Sequence, residues 1–283
     1  MHQDYTRWGG GYQILRILRM GTAEAIFKHA LGSRHLLWRN GMLTIQKQDN
    51  KCSVSYNGQQ LGIVEIFDNP CHMTNCYVKL NMKHLDISIS AELFEKLKAL
   101  AGRPLQAMVD STDMEAVTFL TAGGFIRKRR CYETKACLAD YVGGRADLKI
   151  CSAFAGDPDY ELCCSNMYRY YVDTHKAINP WTADYAAFCT KLPGRAVYAK
   201  MEDHIASLAF IEENEIAYVC GNDKDYFSYF AQALASSMLA DHKSIFFESD
   251  DCDWAAMTLK SLFVNQDEAS FDTYIFSSNT KYT

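Results

Sequence analysis

One short pattern occurs twice in this chain, and it constrains the fold more than any other feature. A hydrophobic strand is followed by an acidic turn, an amphipathic helix, and a phenylalanine that opens another strand. The first copy is Leu105-Gln106-Ala107-Met108-Val109, the turn Asp110 to Asp113, a helix over Met114 to Ala122, and Gly123-Gly124-Phe125 leading into Arg130-Cys131-Tyr132-Glu133. The second is Ser244-Ile245-Phe246-Phe247-Glu248, the turn Asp250 to Asp253, a helix from Trp254 to Ser261, and Leu262-Phe263 before Ser270-Phe271-Asp272-Thr273-Tyr274-Ile275. A repeat of this length implies two copies of one domain. The 283 residues have room for them, since domains typically run to about 100–150 residues.

The elements before each copy also repeat. Thr22 begins a capped helix through Leu31, ended by Gly32. Strands follow at 42–46, 52–56 and 60–66, with Asn57-Gly58 as a hairpin turn, and a fourth lies near Asn75 to Met82. His84-Leu85-Asp86 leads to a helix over Ala91 to Ala101, with Leu93, Phe94, Leu97 and Leu100 at helical spacing. The glycine-rich stretch Tyr141-Val142-Gly143-Gly144-Arg145 breaks the pattern, which places a boundary between domains 1–143 and 144–283. Beyond it, Asp159 to His175 has helical spacing and Thr182 is placed to cap a helix over Ala183 to Leu192. A hairpin around Glu202-Asp203-His204, a strand from Glu215 to Cys220 and a helix from Tyr226 to Ala240 complete the second series.

Hydrophobic residues make up 48% of the chain and charged residues 22%, the balance of a globular protein with well-formed cores. No apolar run approaches the roughly 20 residues needed to span a bilayer, and the N-terminus has no cationic-then-apolar leader, so a cytoplasmic location is expected. The eleven cysteines fall mostly on strand or helix faces and read as buried, reduced thiols. Cys71-His72 with Cys76 lacks a second ligand pair, so no metal site is expected. Charge divides unevenly: residues 1–150 carry 20 Lys and Arg against 14 Asp and Glu, and residues 151–283 carry 9 against 20. Attraction between the halves accounts for this, as does an acidic half that draws a cationic amine beside a basic half that draws an anionic cofactor.

Three places resemble the GNAT superfamily of N-acyltransferases. Tyr56-Asn57-Gly58-Gln59-Gln60-Leu61-Gly62-Ile63-Val64 is similar to the family's early hairpin, with Lys200 to Ser207 as a weaker counterpart. Asp113 to Phe125 resembles the "N-x-x-A-x-x-f-Y-x-x-x-G-F" motif at full spacing, and Arg129-Arg130-Cys131-Tyr132-Glu133 resembles the strand that follows it. The resemblance implies an α/β (α+β) fold of two GNAT-like domains, each a mixed, mostly antiparallel sheet flanked by helices. It further implies acetyl-CoA as cosubstrate and a small-molecule amine, or amino-acid derivative, as acceptor.

In that family a splayed strand offers backbone groups to the pantetheine arm, and a glycine-rich loop at a helix N-terminus holds the pyrophosphate. On this chain those positions correspond to Met82, His84, Ser88 and Ser90 in the first half and to Val219 and Cys220 in the second, while Asp113 and Asp251 stand where the family has an asparagine that can reach pantetheine. The loops depart from the pattern: His84 to Ala91 carries isoleucines near the glycine positions, and Gly221 to Phe227 carries acidic and aromatic residues. Ser88 and Ser90 can cap the helix or donate to a phosphate. The family tyrosine that protonates the departing thiolate has no counterpart in register; Leu120 stands there in the first half, and Thr258 or Lys260 in the second.

Glu248, with Asp250 and Asp251 beside it, is the candidate catalytic base, although the same residues also read as an acidic helix cap. His175 is a second candidate proton acceptor, in an aromatic stretch from Met167 to Trp181 that reads either as core or as the roof of an acceptor site. Two rivals remain: a non-catalytic GNAT-like binder of a metabolite or partner, and an acyltransferase using aminoacyl-tRNA. The latter needs a basic face, and the dense cluster Arg127-Lys128-Arg129-Arg130 reads instead as a solvated strand edge, so no nucleic-acid partner is expected.

Overall fold

The computed structural model describes residues 41–264 and 268–277. The helix expected at 22–31 lies outside them. In the first half, β1 (Leu43–Gln48), β2 (Lys51–Tyr56), β3 (Gln59–Asn69) and β4 (His72–Met82) form an antiparallel meander. Asn57 and Gly58 have φ of 50° and 77°, the left-handed pair that an Asn-Gly hairpin turn requires. Then come α1 (Ile87–Ala101), β5 (Leu105–Asp110), α2 (Met114–Ala122) and β6 (Ile126–Ala136). The second half contains β7 (Cys151–Phe154), α3 (Pro158–His175), α4 (Tyr185–Cys189), β8 (Arg195–Met201), β9 (His204–Glu212), β10 (Glu215–Gly221), α5 (Lys224–Asp241), β11 (Ile245–Asp250), α6 (Trp254–Lys260) and β12 (Ser270–Phe276).

All twelve strands join in one mixed, mostly antiparallel sheet flanked by helices, in the order β1-β2-β3-β4-β5-β12-β6-β11-β10-β9-β8-β7. The last strand of each half is exchanged. β12 pairs with β5, β6 pairs with β11, and the two exchanged strands pair with each other in the middle. Equivalent bonds pin both exchanges. Ser111 N donates to Ser270 O while Ser270 N donates to Ser111 Oγ; Asp251 N donates to Arg130 O while Arg130 N donates to Asp251 Oδ1.

The first copy's phenylalanine packs across this exchange. Phe125 packs edge-on against Phe94 and also meets Phe276 of the exchanged β12, with ring centroids 4.7 and 5.4 Å apart. Phe263 packs on Phe247 at 5.5 Å. Each such buried ring contributes about 1.5–3 kcal/mol, and the Phe125–Phe276 contact ties the first copy's phenylalanine to the exchanged β12.

Helix starts differ from expectation in instructive ways. α1 begins at Ile87, because Asp86, not Ser88 or Ser90, supplies the cap; its carboxylate accepts from Ser88 N at 2.9 Å. Asp184 caps α4, so Thr182 is free for another task and accepts from Met73 N of the first half at 2.9 Å. β6 lies between β12 and β11, which overturns the reading of Arg127 to Arg130 as a solvated edge. Arg127 and Arg130 do keep side chains 44% and 38% exposed, whereas that of Arg129 is only 11% exposed. The register against β12 skips Lys128, and this bulge turns Arg129 inward while Arg127, two residues away, faces out. All eleven cysteines are unpaired. Among the described residues, no helix is long and apolar enough to cross a membrane.

Candidate active site

Each half contains one parallel strand pair, and both pairs are short. β4 and β5 are in register only at Cys76, Tyr77 and Val78, and β10 and β11 only at Glu215 and Ile216. Beyond Ile216, β10 continues to Gly221 on its β9 side alone, while β11 runs on against β6. The strands therefore part. The gap opens into a cavity of ≈ 130 Å³ lined by both halves.

Strand alternation decides what faces it. On β11, Ile245, Phe247 and Ser249 are buried, the first two in the core formed with α5 and α6. Glu248 and Asp250, one residue out of phase, line the cavity. Directly opposite on β6 stand Glu133 and Cys131. The end of α3 brings Tyr170, Tyr171, Thr174 and His175 over them, and the first half contributes Asn69, His72, Tyr77 and Met108.

The charged groups form one network. Arg129 Nη1 donates to Asp250 Oδ2 at 2.9 Å, and His175 Nε2 lies 3.6 Å from the same oxygen. His175 Nδ1 is 3.0 Å from the Tyr171 carbonyl one turn earlier, so it donates there and leaves Nε2 towards the carboxylate. Burial pushes the Asp250 carboxyl up, but the Arg129 guanidinium and then His175 outweigh it and hold the group below its ordinary value. Glu248 goes the other way. Burial, the Asp250 charge and then Glu133 raise its carboxyl to about 8. The Cys131 thiol is pushed well up by burial, then by Asp250 and Glu248, and is no nucleophile at neutral pH.

A second chain of contacts crosses between the halves. His72 Nδ1 sits 2.9 Å from the Asn179 carbonyl and 3.1 Å from that of Pro180, and Nε2 is 3.3 Å from the Tyr171 hydroxyl. Burial lowers its imidazole to about 4, so the ring is neutral, donating from Nδ1 and accepting at Nε2. Tyr171 in turn stacks on His175, with centroids 3.9 Å apart and planes at 13°. Tyr170 donates to Asp253, which caps α6 through Ala255 N and Ala256 N. Burial raises Tyr170, Tyr171 and Tyr218, keeping all three hydroxyls neutral.

The two candidate catalytic residues, Glu248 and His175, thus meet in one cavity, and Val219 lines it as well. Cys220 is buried in the core beneath α3, and Asp251 is exposed and bonded to Arg130. Met82, His84, Ser88, Ser90 and Asp113 lie in the first half, outside the cavity. Met82 pairs with Gly62, and His84 and Ser88 are exposed. Ser90 Oγ donates to the Ile87 carbonyl at 2.8 Å, and Asp113 caps α2 through Ala116 N. Leu120 is fully buried, and Thr258 Oγ1 donates to the Trp254 carbonyl.

The halves are unequal at equivalent points. The turns align through Asp113 N to Asp110 O and Asp253 N to Asp250 O, at 3.0 and 2.9 Å. Asp110 therefore matches Asp250, Met108 matches Glu248, and, through the Ser270 and Arg130 pins, Ala269 matches Arg129. Among the described residues, the raised carboxyl and its arginine thus occur at one of the two equivalent points, with Glu248 on β11 and Arg129 on the exchanged β6.

The helix ends suit an anion poorly. At α1, Asp86 takes Ser88 N and Glu115 reaches Leu85 N at 3.4 Å. At α5, Asp223 takes Tyr226 N and Asp225 stands in the first turn. Among the described residues, β10 beyond Ile216 has no ladder partner on its β11 side, the open backbone edge that a pantetheine arm would need. A pyrophosphate meets carboxylates where it needs free amides.

No family model and no curated protein matches the chain. Among solved structures, it is similar to GNAT N-acetyltransferases. A GCN5-related N-acetyltransferase from Sphaerobacter thermophilus matches at 8% identity with a TM-score of 0.45, over 80% of each chain. A tandem GNAT protein from the clavulanic acid biosynthesis pathway matches at 10% identity and a TM-score of 0.46, over 80% of this chain and 82% of its own. A GCN5-related N-acetyltransferase from Kribbella flavida matches at 12% identity and a TM-score of 0.45, over 83% and 90%.

Proposed function

We propose that the chain is an N-acyltransferase that moves an acetyl group from acetyl-CoA to a small amine in the second-half cavity. The carrying observation is Glu248, whose carboxyl is raised to about 8 and which faces the open gap between β10 and β11. A general base works best with a pKa near the operating pH. An ammonium entering beside Glu248 and Asp250 gives one proton to the Glu248 carboxylate, and the freed amine lone pair can then attack a carbonyl carbon. A thioester supplies that carbonyl and leaves as a thiol, taking the second proton of the amine nitrogen. Backbone N–H groups of β10 beyond Ile216, without a partner strand on that side, are placed to stabilise the oxyanion.

Arg129 and His175 keep Asp250 ionised, so its charge raises Glu248 and stays on the path of the ammonium. Tyr171, fixed by His72, orients His175. The first half therefore serves as a wall and a positioning scaffold. Calorimetric titration with acetyl-CoA tests the reading: binding is expected, and none at millimolar concentration would sink it.

A binding protein without catalysis is the second reading. It is favoured by Asp86 and Asp223, which occupy the helix ends that would otherwise hold a pyrophosphate.

A further inference from the structure

We infer that the acceptor is a compact monoamine without a carboxylate, held as its ammonium by Glu248 and Asp250 with its carbon tail against Tyr171 and Tyr218. This rests on the acylation reading and narrows it, since an amino-acid derivative would otherwise serve equally.

Size is the first constraint. A cavity of ≈ 130 Å³ is close to the roughly 150 Å³ that holds a benzene, so a ligand of about six heavy atoms fills it. Polarity is the second. Asn179 is only 5% exposed and lines the cavity, yet its Oδ1 is buried without a hydrogen-bond partner, as is Asp250 Oδ1. Both are acceptors. Together with Glu248 they ask for a ligand that donates, and an ammonium offers three N–H groups.

The third constraint is what a ligand carboxylate would find. The Arg129 guanidinium is already committed, with one Nη1 proton donated to Asp250 and one Nη2 proton to Thr273, and its charge is matched by the Asp250 carboxylate. His72 and His175 are bonded at Nδ1. The remaining charged groups around Glu248 are the carboxylates of Asp250, Glu133 and Asp253. A second anion beside them is repelled.

The same arrangement predicts a proton exchange. Glu248 titrates at about 8, so it is largely protonated at pH 7, and an arriving ammonium displaces that proton.

Calorimetric titration at pH 7 of the full chain with isobutylamine and with valine, the same skeleton bearing a carboxylate, tests this in two buffers of different ionisation heat. Isobutylamine should bind at least about tenfold tighter than valine and release about one proton. Glu248→Gln should weaken isobutylamine at least about tenfold and abolish the release. Valine binding as tightly as isobutylamine, amine binding without proton release in the unaltered protein, or binding of neither ligand overturns the inference. Acetylation of valine would overturn this inference and leave the acylation reading standing. Isobutylamine binding with proton release, in a protein that does not bind acetyl-CoA, would support the monoamine site and overturn the acylation reading.

Discussion

Arg129 donates to Asp250 at 2.9 Å across the seam between the two halves, from the exchanged strand of one to the parting strand of the other. The pair is nearly dry, with side chains 11% and 16% exposed. Removing one partner of such a pair strands a buried charge, at a cost of about 3–5 kcal/mol. Arg129→Met should therefore destabilise the protein by about that much in urea denaturation, and Arg129→Met with Asp250→Asn by clearly less. Equal losses in the two variants would show that Asp250 does not depend on Arg129.

Glu248 costs stability in a pH-dependent way. Its carboxyl is raised to about 8 in the folded protein, against roughly 4.3 in an unfolded chain. The folded state holds more protons, so stability is greatest below the unfolded value and falls as pH rises through the folded one. Glu248→Gln should be more stable than the parent by on the order of 2 kcal/mol at pH 8. The difference should shrink towards pH 5, read from thermal denaturation at both pH values.

In the proposed mechanism His72 acts through Tyr171 and not on the substrate. His72→Phe removes the acceptor for the Tyr171 hydroxyl and the donor to the Asn179 and Pro180 carbonyls, at a cost of about 1–3 kcal/mol. A merely structural role would change stability alone. A positioning role predicts a fall in kcat with KM for acetyl-CoA unchanged, in steady-state kinetics at a temperature where the variant is folded.

The carboxylates at both helix ends predict an unusual donor preference. Because Asp86 and Asp223 take the amides that would hold a pyrophosphate, acetyl-pantetheine should be used with kcat/KM within about threefold of acetyl-CoA. A loss of a hundredfold or more on truncation would reveal a phosphate site elsewhere.

The strand exchange makes the halves interdependent. A chain ending after Val264 lacks β12, which leaves β5 and β6 without their shared neighbour and Phe125 without Phe276. Such a chain should lose cooperative unfolding in both halves, followed by circular dichroism in urea. A first half that still unfolds cooperatively would contradict this.

The meander and the strand-turn-helix repeat were legible because they rest on local alternation, turn residues and helix spacing. Glu248 and His175 stood out in the sequence as candidates by residue type and by their places in the strand and the aromatic stretch, and both line the cavity. Arg129, His72 and Asn179 did not, since they reach the cavity through the strand exchange and through the docking of the β3–β4 turn on residues 178–182, both set by long-range pairing. Thr182 shows the limit at single-residue scale: its sequence reads as a cap, and its hydroxyl instead accepts from Met73 of the other half. Arg129 shares its alternation parity with Arg127, and the two part only through the bulge at Lys128 on a central β6, which local pattern does not reveal.

The pH dependence of kcat/KM for acetyl transfer to isobutylamine, in the parent and in Glu248→Gln, tests the account most directly. The parent should rise through about pH 8 as Glu248 ionises, and the variant should lose that limb and at least about a hundredfold in rate at pH 8. Unchanged turnover in Glu248→Gln, or no transfer by the parent at any pH, would contradict it.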